Sequence, residues 1–321
     1  MPLLSHAFSR RPRLSGSAAP IRLVLLVVLA AIPGLPPWAD ANESPVLVAT
    51  SERAVFMRGL LFRVAPSAKA RPSWLFGTIH SEDPRVLALP QAVEQALAAA
   101  RGVTVEVVPD SGAMRAAQAR MLLGEGESLR ERLPPALYRD TIGALAARGL
   151  PEAAAERFKP WAVIMLLSMP PSSTGQLLDL TLVEKANAAG KPVQGLETMA
   201  EQLAVFERLG NADQVALLED TLANHDALPR LFDHLTHIYL ARDLSGLLRL
   251  ERQQLAGSDS DLATRFRHAL VDKRNRRMAE RIVPLVREGG NFIAVGALHL
   301  PGDGGLLDRL RDAGFVIECL Y

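Results

Sequence analysis

Trp74-Leu75-Phe76-Gly77-Thr78-Ile79-His80 and Asn291-Phe292-Ile293-Ala294-Val295-Gly296-Ala297-Leu298-His299 follow one plan, and that plan decides the fold. Each is a short apolar run of strand character that ends in Gly-x-x-His and passes into a polar loop containing proline. A helix follows each loop: Gln91 to Ala100, opened by Pro90, and Leu306 to Asp312, stopped by Gly314. A second strand then carries a lone glutamate, Glu106 in the middle of Val103 to Val108 and Glu318 in Phe315 to Leu320. The pattern predicts an α/β fold with a central, mostly parallel sheet built from two β-α-β units, Gly-x-x-His at the strand ends, and a large helical insertion. Parallel strands joined by helices place the following loops on one sheet edge, where open α/β folds bind their ligands. Both histidines are therefore expected at one place.

Outward from these two units, Val55 to Val64 reads as an opening strand or hairpin with Gly59 inside it, and Pro192 to Leu196 as a further short strand. About 111–189 and 198–287 are mainly helical, the first broken at Gly124, Pro134-Pro135, Pro151 and Pro170-Pro171. No low-complexity linker divides 42–321, which reads as one domain. The first 41 residues differ in kind. Arg10, Arg11, Arg13 and Arg22 precede the apolar run Leu23 to Ile32, and Ala39-Asp40-Ala41 supplies a small-x-small cleavage pattern. A signal peptide cut before Asn42 is expected, with export to the periplasm or medium. The run falls short of the roughly 20 residues that span a bilayer. A membrane is thus a partner only through an uncleaved signal.

Composition removes several functions. The 321 residues carry 36 Lys plus Arg against 35 Asp plus Glu, and without 1–41 the balance is 32 against 34, so no nucleic-acid partner is expected. The single cysteine, Cys319, excludes an internal disulfide framework and a paired-cysteine zinc site, and reads most simply as a buried strand residue. No His-Glu-x-x-His, Gly-x-Ser-x-Gly, P-loop or dinucleotide fingerprint occurs. A metal here needs nitrogen and oxygen ligands.

Gly77 and Gly296, three residues before a histidine, let the backbone turn sharply or approach a ligand closely at a strand end. Two such imidazoles with one carboxylate suit a divalent metal site, His80, His299 and Glu106, that keeps open positions for water and substrate. The competing reading is a duplication whose glycines and histidines serve turn geometry alone. Glu106, inside a Val-rich strand, needs a metal, a cation or hydrogen-bond donors to be buried ionised. Glu197 follows another strand end and suits a ligand, an orienting group or a carboxylate near a helix N-terminus. Arg274, in the basic run Asp272 to Met278, either joins a solvated face or reaches the cleft to stabilise an oxyanion. His234 and His237 share a helix face but lack a strand end, and read as a polar surface.

With Leu75 to Val86, Gly296-Ala297-Leu298-His299-Leu300, Gly195-Leu196-Glu197-Thr198, Gln202 and Arg274-Asn275 with Met278, the chain resembles the TraB/GumN family, bacterial relatives of the Tiki metalloproteases. The resemblance implies a fold like that of erythromycin esterase and the haem-binding ChaN proteins, and a metal-dependent peptidase activity like that of the animal members. It makes His80, Glu106 and His299 metal-site or catalytic residues, with Glu197, Arg274 and Asn275 in support. The expected function is an exported hydrolase, a peptidase first, using a divalent metal such as manganese or cobalt on a peptide or small-molecule substrate. Glu106 would be ligand or general base and Arg274 an electrophilic helper. Two alternatives stand beside it: a non-catalytic module binding haem or peptide in the same cleft, and a metal-independent esterase-like hydrolase.

Overall fold

Phe292-Ile293-Ala294-Val295 is buried along its whole length, as a strand covered on both faces must be, and forms the middle of the sheet. A computed structural model describes residues 56–108, 110–170, 174–255 and 261–321; the expected signal peptide and Val55 lie outside them. Six strands, β1 (Leu61–Ala65), β2 (Ser73–Thr78), β3 (Gly102–Val105), β4 (Val193–Gly195), β5 (Asn291–Gly296) and β6 (Val316–Cys319), form one sheet in the order β4-β3-β5-β2-β1-β6. β2 and β3 flank β5, both parallel to it, and β4 continues the parallel set beyond β3. β1 alone runs the other way, antiparallel to β2 and β6.

The expected α/β architecture is thus present, with the two β-α-β units interleaved rather than side by side. β5 enters between the two strands of the first unit, while its own partner β6 lies beyond β1 on the far edge. The register sets the consequence. Thr78 pairs with Gly296, so β2 and β5 end level and both Gly-x-x-His turns leave the same sheet edge.

Three local expectations need correction. The third strand stops at Val105, so Glu106 lies past its end instead of in its middle, which moves the carboxylate to the edge that carries the histidines. The opening strand begins only at Leu61, because Gly59 takes φ +103° and turns the chain before it. Cys319 is on a strand but exposed, since β6 is an edge strand with Val316 and Glu318 also exposed.

Helix α1 (Gln91–Ala99) returns the chain from β2 to β3, burying Val93, Ala96 and Leu97. The Lys191 ammonium donates to its last carbonyls, those of Leu97, Ala98 and Ala100, each at 2.6 Å, and so supplies the cation that a helix C-terminus favours. Among the described residues of 111–189 there is no strand, only an isolated bridge between Leu122 and Phe158. The last helix of that stretch, α2 (Leu178–Ala188), packs on β3 and β4. α3 (Met199–Glu207) starts with a capping box: Thr198 accepts from Glu201 N–H while the Glu201 carboxylate accepts from Thr198 N–H. A π-helical turn, His268–Asp272, leads into α4 (Lys273–Glu288), which packs on β1, β5 and α5 (Leu306–Asp312).

Candidate functional site

Glu106 is the centre. Its Oε1 accepts Gly296 N–H at 2.6 Å, and its Oε2 accepts from the Arg274 guanidinium at 2.5 Å and from Gln202 at 3.2 Å. The strand ends explain the first bond. A Cβ on Gly296 would lie 3.2 Å from that oxygen, so the glycine allows the carboxylate to approach the backbone. Burial pushes the Glu106 carboxyl up, but Arg274, then His299, then the Gly296 N–H and His80 outweigh it and hold the group down at about 2. It is ionised at neutral pH.

Arg274, only 2% exposed, comes from the first turn of α4 and lies between two buried carboxylates. Its Nε donates to Glu197 Oε2 at 2.8 Å while an Nη reaches Glu106. Burial works against its charge; the two carboxylates more than offset this and raise its pKa. Glu197, just past β4, is held by Arg274, by Arg277 one turn further along α4, and by Gln202 at 3.4 Å. Its backbone N–H also donates to the Glu106 carbonyl at 2.7 Å, which ties the two strand ends together. Arg274 therefore faces Glu106 and Glu197 instead of joining a solvated face.

His299 is buried, and its Nδ1 lies 2.6 Å from Asn275 Oδ1. Asn275 Nδ2 donates to the Gly304 carbonyl at 3.3 Å, which fixes the amide with its oxygen toward the ring. The proton must then sit on Nδ1, leaving the Nε2 lone pair 3.8 Å from Glu106 Oε1. Burial first, and the Arg274 charge second, depress the imidazole to about 4, so it is neutral at neutral pH.

His80 has a different partner. Its Nδ1 lies 3.1 Å from Asp179 Oδ2, and neither of these buried atoms has another partner. Burial depresses this imidazole, but Asp179, through charge and contact, and then Glu106 outweigh burial and raise it. Gly77 is required by packing: a Cβ there would stand 2.7 Å from a Leu300 methyl and 3.1 Å from Ala297. The two Gly-x-x-His turns thus press directly on one another. Tyr239 OH donates to the Gly77 carbonyl at 2.8 Å.

His80, Glu106, His299, Glu197, Arg274 and Asn275, named from widely separated stretches of sequence, are brought together at one edge. His237 turns its Nδ1 to the Asp233 carbonyl within its own helix, on an exposed face. Sequence reasoning missed Asp179, Thr78 and Arg277. Asp179 had a readable signal, a lone acid in the apolar opening of a helix, Leu177-Leu178-Asp179-Leu180, the same kind of argument that singled out Glu106.

Each imidazole has its Nδ1 facing a side-chain oxygen, the kind of partner that metal-ligating histidines have, and only His299 comes within 4 Å of Glu106 among the described ion pairs. The spacing is open: among the described residues no three His, Cys, Asp or Glu side chains are grouped to hold a metal ion.

The model of the TraB/PrgY/gumN family matches residues 60–319. This chain belongs to that family. It is 28% identical over 302 residues to the metalloprotease TIKI2 of Xenopus tropicalis, covering 77% of this chain and 57% of the relative. It is 28% identical over 299 residues to the metalloprotease TIKI1 of Danio rerio, covering 77% and 60%. The uncharacterized protein YbaP of Shigella flexneri is 26% identical over 249 residues, covering 75% of this chain and 88% of YbaP. The chain thus spans less than two thirds of these two metalloproteases. The matched segment runs from the residue before β1 to the end of β6 and includes every side chain of the site. Among the described residues no helix is long and apolar enough to cross a membrane.

Proposed function

We propose that this TraB/PrgY/gumN family member is an exported, divalent-metal-dependent hydrolase of the peptidase type, acting at the His80, Glu106, His299 edge of the sheet. The observation that carries the reading is the level ending of β2 and β5, which brings both Gly-x-x-His turns to the sheet edge where Gly296 N–H binds the Glu106 carboxylate. The names of the relatives, metalloproteases TIKI1 and TIKI2, support the reaction class. His80 and His299 would hold the cation with Glu106, and manganese or cobalt suits such nitrogen and oxygen donors. A cation there supplies Lewis acidity toward the scissile carbonyl.

The chain's own groups prepare the site. Asn275 keeps the proton on His299 Nδ1, so Nε2 presents its lone pair toward the Glu106 side. Arg274 and the Gly296 N–H keep Glu106 ionised at neutral pH, available as ligand or as general base. Arg274 acts in this account through the carboxylates it binds. Substrate is a peptide or a small molecule with a hydrolysable carbonyl; neither nucleic acid nor a membrane is needed.

The test is hydrolysis of a mixed set of fluorogenic peptides by the 42–321 fragment, with Mn²⁺ or Co²⁺ and with chelator. Metal-stimulated turnover that disappears in folded His80→Ala and His299→Ala is expected. Full activity in either variant overturns the assignment. For export, an N-terminal sequence beginning at Asn42 is expected, and retention of residues 1–41 contradicts cleavage.

A second reading, metal-independent hydrolysis, is favoured by the open donor spacing and by the opposite perturbation of the two imidazoles, His80 up and His299 down. Groups pushed apart in this way divide into an acid and a base. Chelator decides between the two readings, because only the second keeps its activity in excess chelator.

A further inference from the structure

The two histidines of the site are oriented by chemically different partners. His299 faces an amide, Asn275, whose orientation is fixed by its second bond to the Gly304 carbonyl. His80 faces a carboxylate, Asp179, whose other oxygen accepts from Thr78 Oγ1 at 2.7 Å. Thr78 is fully buried at the last position of β2, level with Gly296, and Asp179 lies in the first turn of α2. His80 Nδ1 and Asp179 Oδ2 are shut off from water, 3.1 Å apart, and have no other partner. That distance is within the range of an Nδ1–H···Oδ2 bond. No competing acceptor is bonded to Nδ1, and the atom that faces it is a carboxylate oxygen.

We propose that Asp179, held by Thr78, is the positioning residue of His80: it keeps the proton on Nδ1 and so leaves the Nε2 lone pair for the cation or substrate. This deepens the reading of His80 as a site residue and rests on it. The sheet supplies the rigidity, because Thr78 is fixed in β2 and its hydroxyl fixes one carboxylate oxygen. The other oxygen then has one place to be. Asp179 does not touch the reacting atoms in this account; it acts only through His80.

The arrangement makes an unusual demand of Asp179→Asn. Thr78 is fully buried and its hydroxyl donates to the residue 179 side chain, so the amide of the variant keeps its oxygen toward Thr78, which would otherwise be left without an acceptor, and turns its NH₂ toward His80. Nδ1 must then accept, the proton moves to Nε2, and the lone pair that the site needs is lost. Adding Thr78→Val removes the hydroxyl and frees the amide to turn round, presenting its oxygen to His80 as Asn275 does to His299. The double variant should therefore regain what the single one loses, although it is further from the native sequence.

Imidazole ¹⁵N shifts of His80 in the metal-free 42–321 fragment, at a pH where the ring is neutral, read the tautomer directly. Mn²⁺ titration of the same samples reads affinity. Expected are the Nδ1–H form in the wild type, the Nε2–H form in Asp179→Asn, and recovery of Nδ1–H in Thr78→Val/Asp179→Asn. Mn²⁺ affinity should fall about 10- to 100-fold in the single variant and return in the double. An Asp179→Asn protein that keeps the Nδ1–H form overturns the proposal, as does a double variant no different from the single. A wild type that binds no Mn²⁺ overturns the metal reading alone, and the tautomer still decides the role of Asp179.

Discussion

Replacing Arg274 by methionine removes the cation between Glu106 and Glu197 while keeping apolar volume, and the two carboxylates do not suffer equally. Glu197 retains Arg277 and Gln202. Among the described residues Glu106 retains the Gly296 N–H and Gln202 as hydrogen-bond donors, with the weaker influence of His299 and His80. Glu106 is then an ionised group buried without its counter-charge, a defect that costs about 3–5 kcal/mol. At roughly 2 °C per kcal/mol for a domain of this size, Tm should fall by about 6–10 °C. The carboxyl should also rise from its depressed value near 2, since burial is what Arg274 opposes. Adding Glu106→Gln removes the orphaned charge, so the double variant should recover about 1–3 kcal/mol of the loss. Urea unfolding of wild type, both single variants and the double closes the cycle. A loss below about 1 kcal/mol in Arg274→Met, or strictly additive single variants, would refute the view of Arg274 as the buried counter-ion of Glu106.

Further outcomes follow from the same geometry. Gly77→Ala should cost about 1–3 kcal/mol, measured by urea unfolding, because its Cβ meets Leu300 and Ala297 within the tight contact of the two turns. Asn275→Ala should leave the fold intact and weaken Mn²⁺ binding about 10- to 100-fold, since His299 loses the acceptor that fixes its tautomer; unchanged affinity would separate Asn275 from the site. Glu201 is held down at about 2, chiefly by its hydrogen bond to Arg281, against burial. Its folded value lies below its unfolded one, so its contribution is present above about pH 4.5 and fades as pH falls toward 2. Because both side chains are partly exposed, that contribution is small and screened by salt, and acid unfolding of Arg281→Ala should lack its part of the slope.

Much of this arrangement was legible because it is written as local pattern. An apolar run ending in Gly-x-x-His reads as a strand and turn without tertiary knowledge, and the two copies predict a common sheet edge. Glu106 was legible as a buried acid that needs a partner, but the end of its strand was not. Val107 and Val108 look like continued strand, whereas the chain leaves the ladder after Val105, where the Glu106 carboxylate turns to Gly296 N–H. The placement of β5 between β2 and β3 was also invisible, since strand order depends on long-range pairing that no local periodicity records. Asp179 was missed because its partners, Thr78 and His80, lie about a hundred residues away. The same separation hid the choice Arg274 makes between solvent and the two carboxylates.

The proposed function requires the two Gly-x-x-His histidines to form one metal-dependent site. Mn²⁺ titration by calorimetry of the 42–321 fragment, wild type beside His80→Ala and His299→Ala, with unfolding curves to show that each variant is folded, tests it most directly. Stoichiometric binding is expected in the wild type, with its loss in both variants. Absence of binding in the wild type, or binding that survives either substitution, contradicts it.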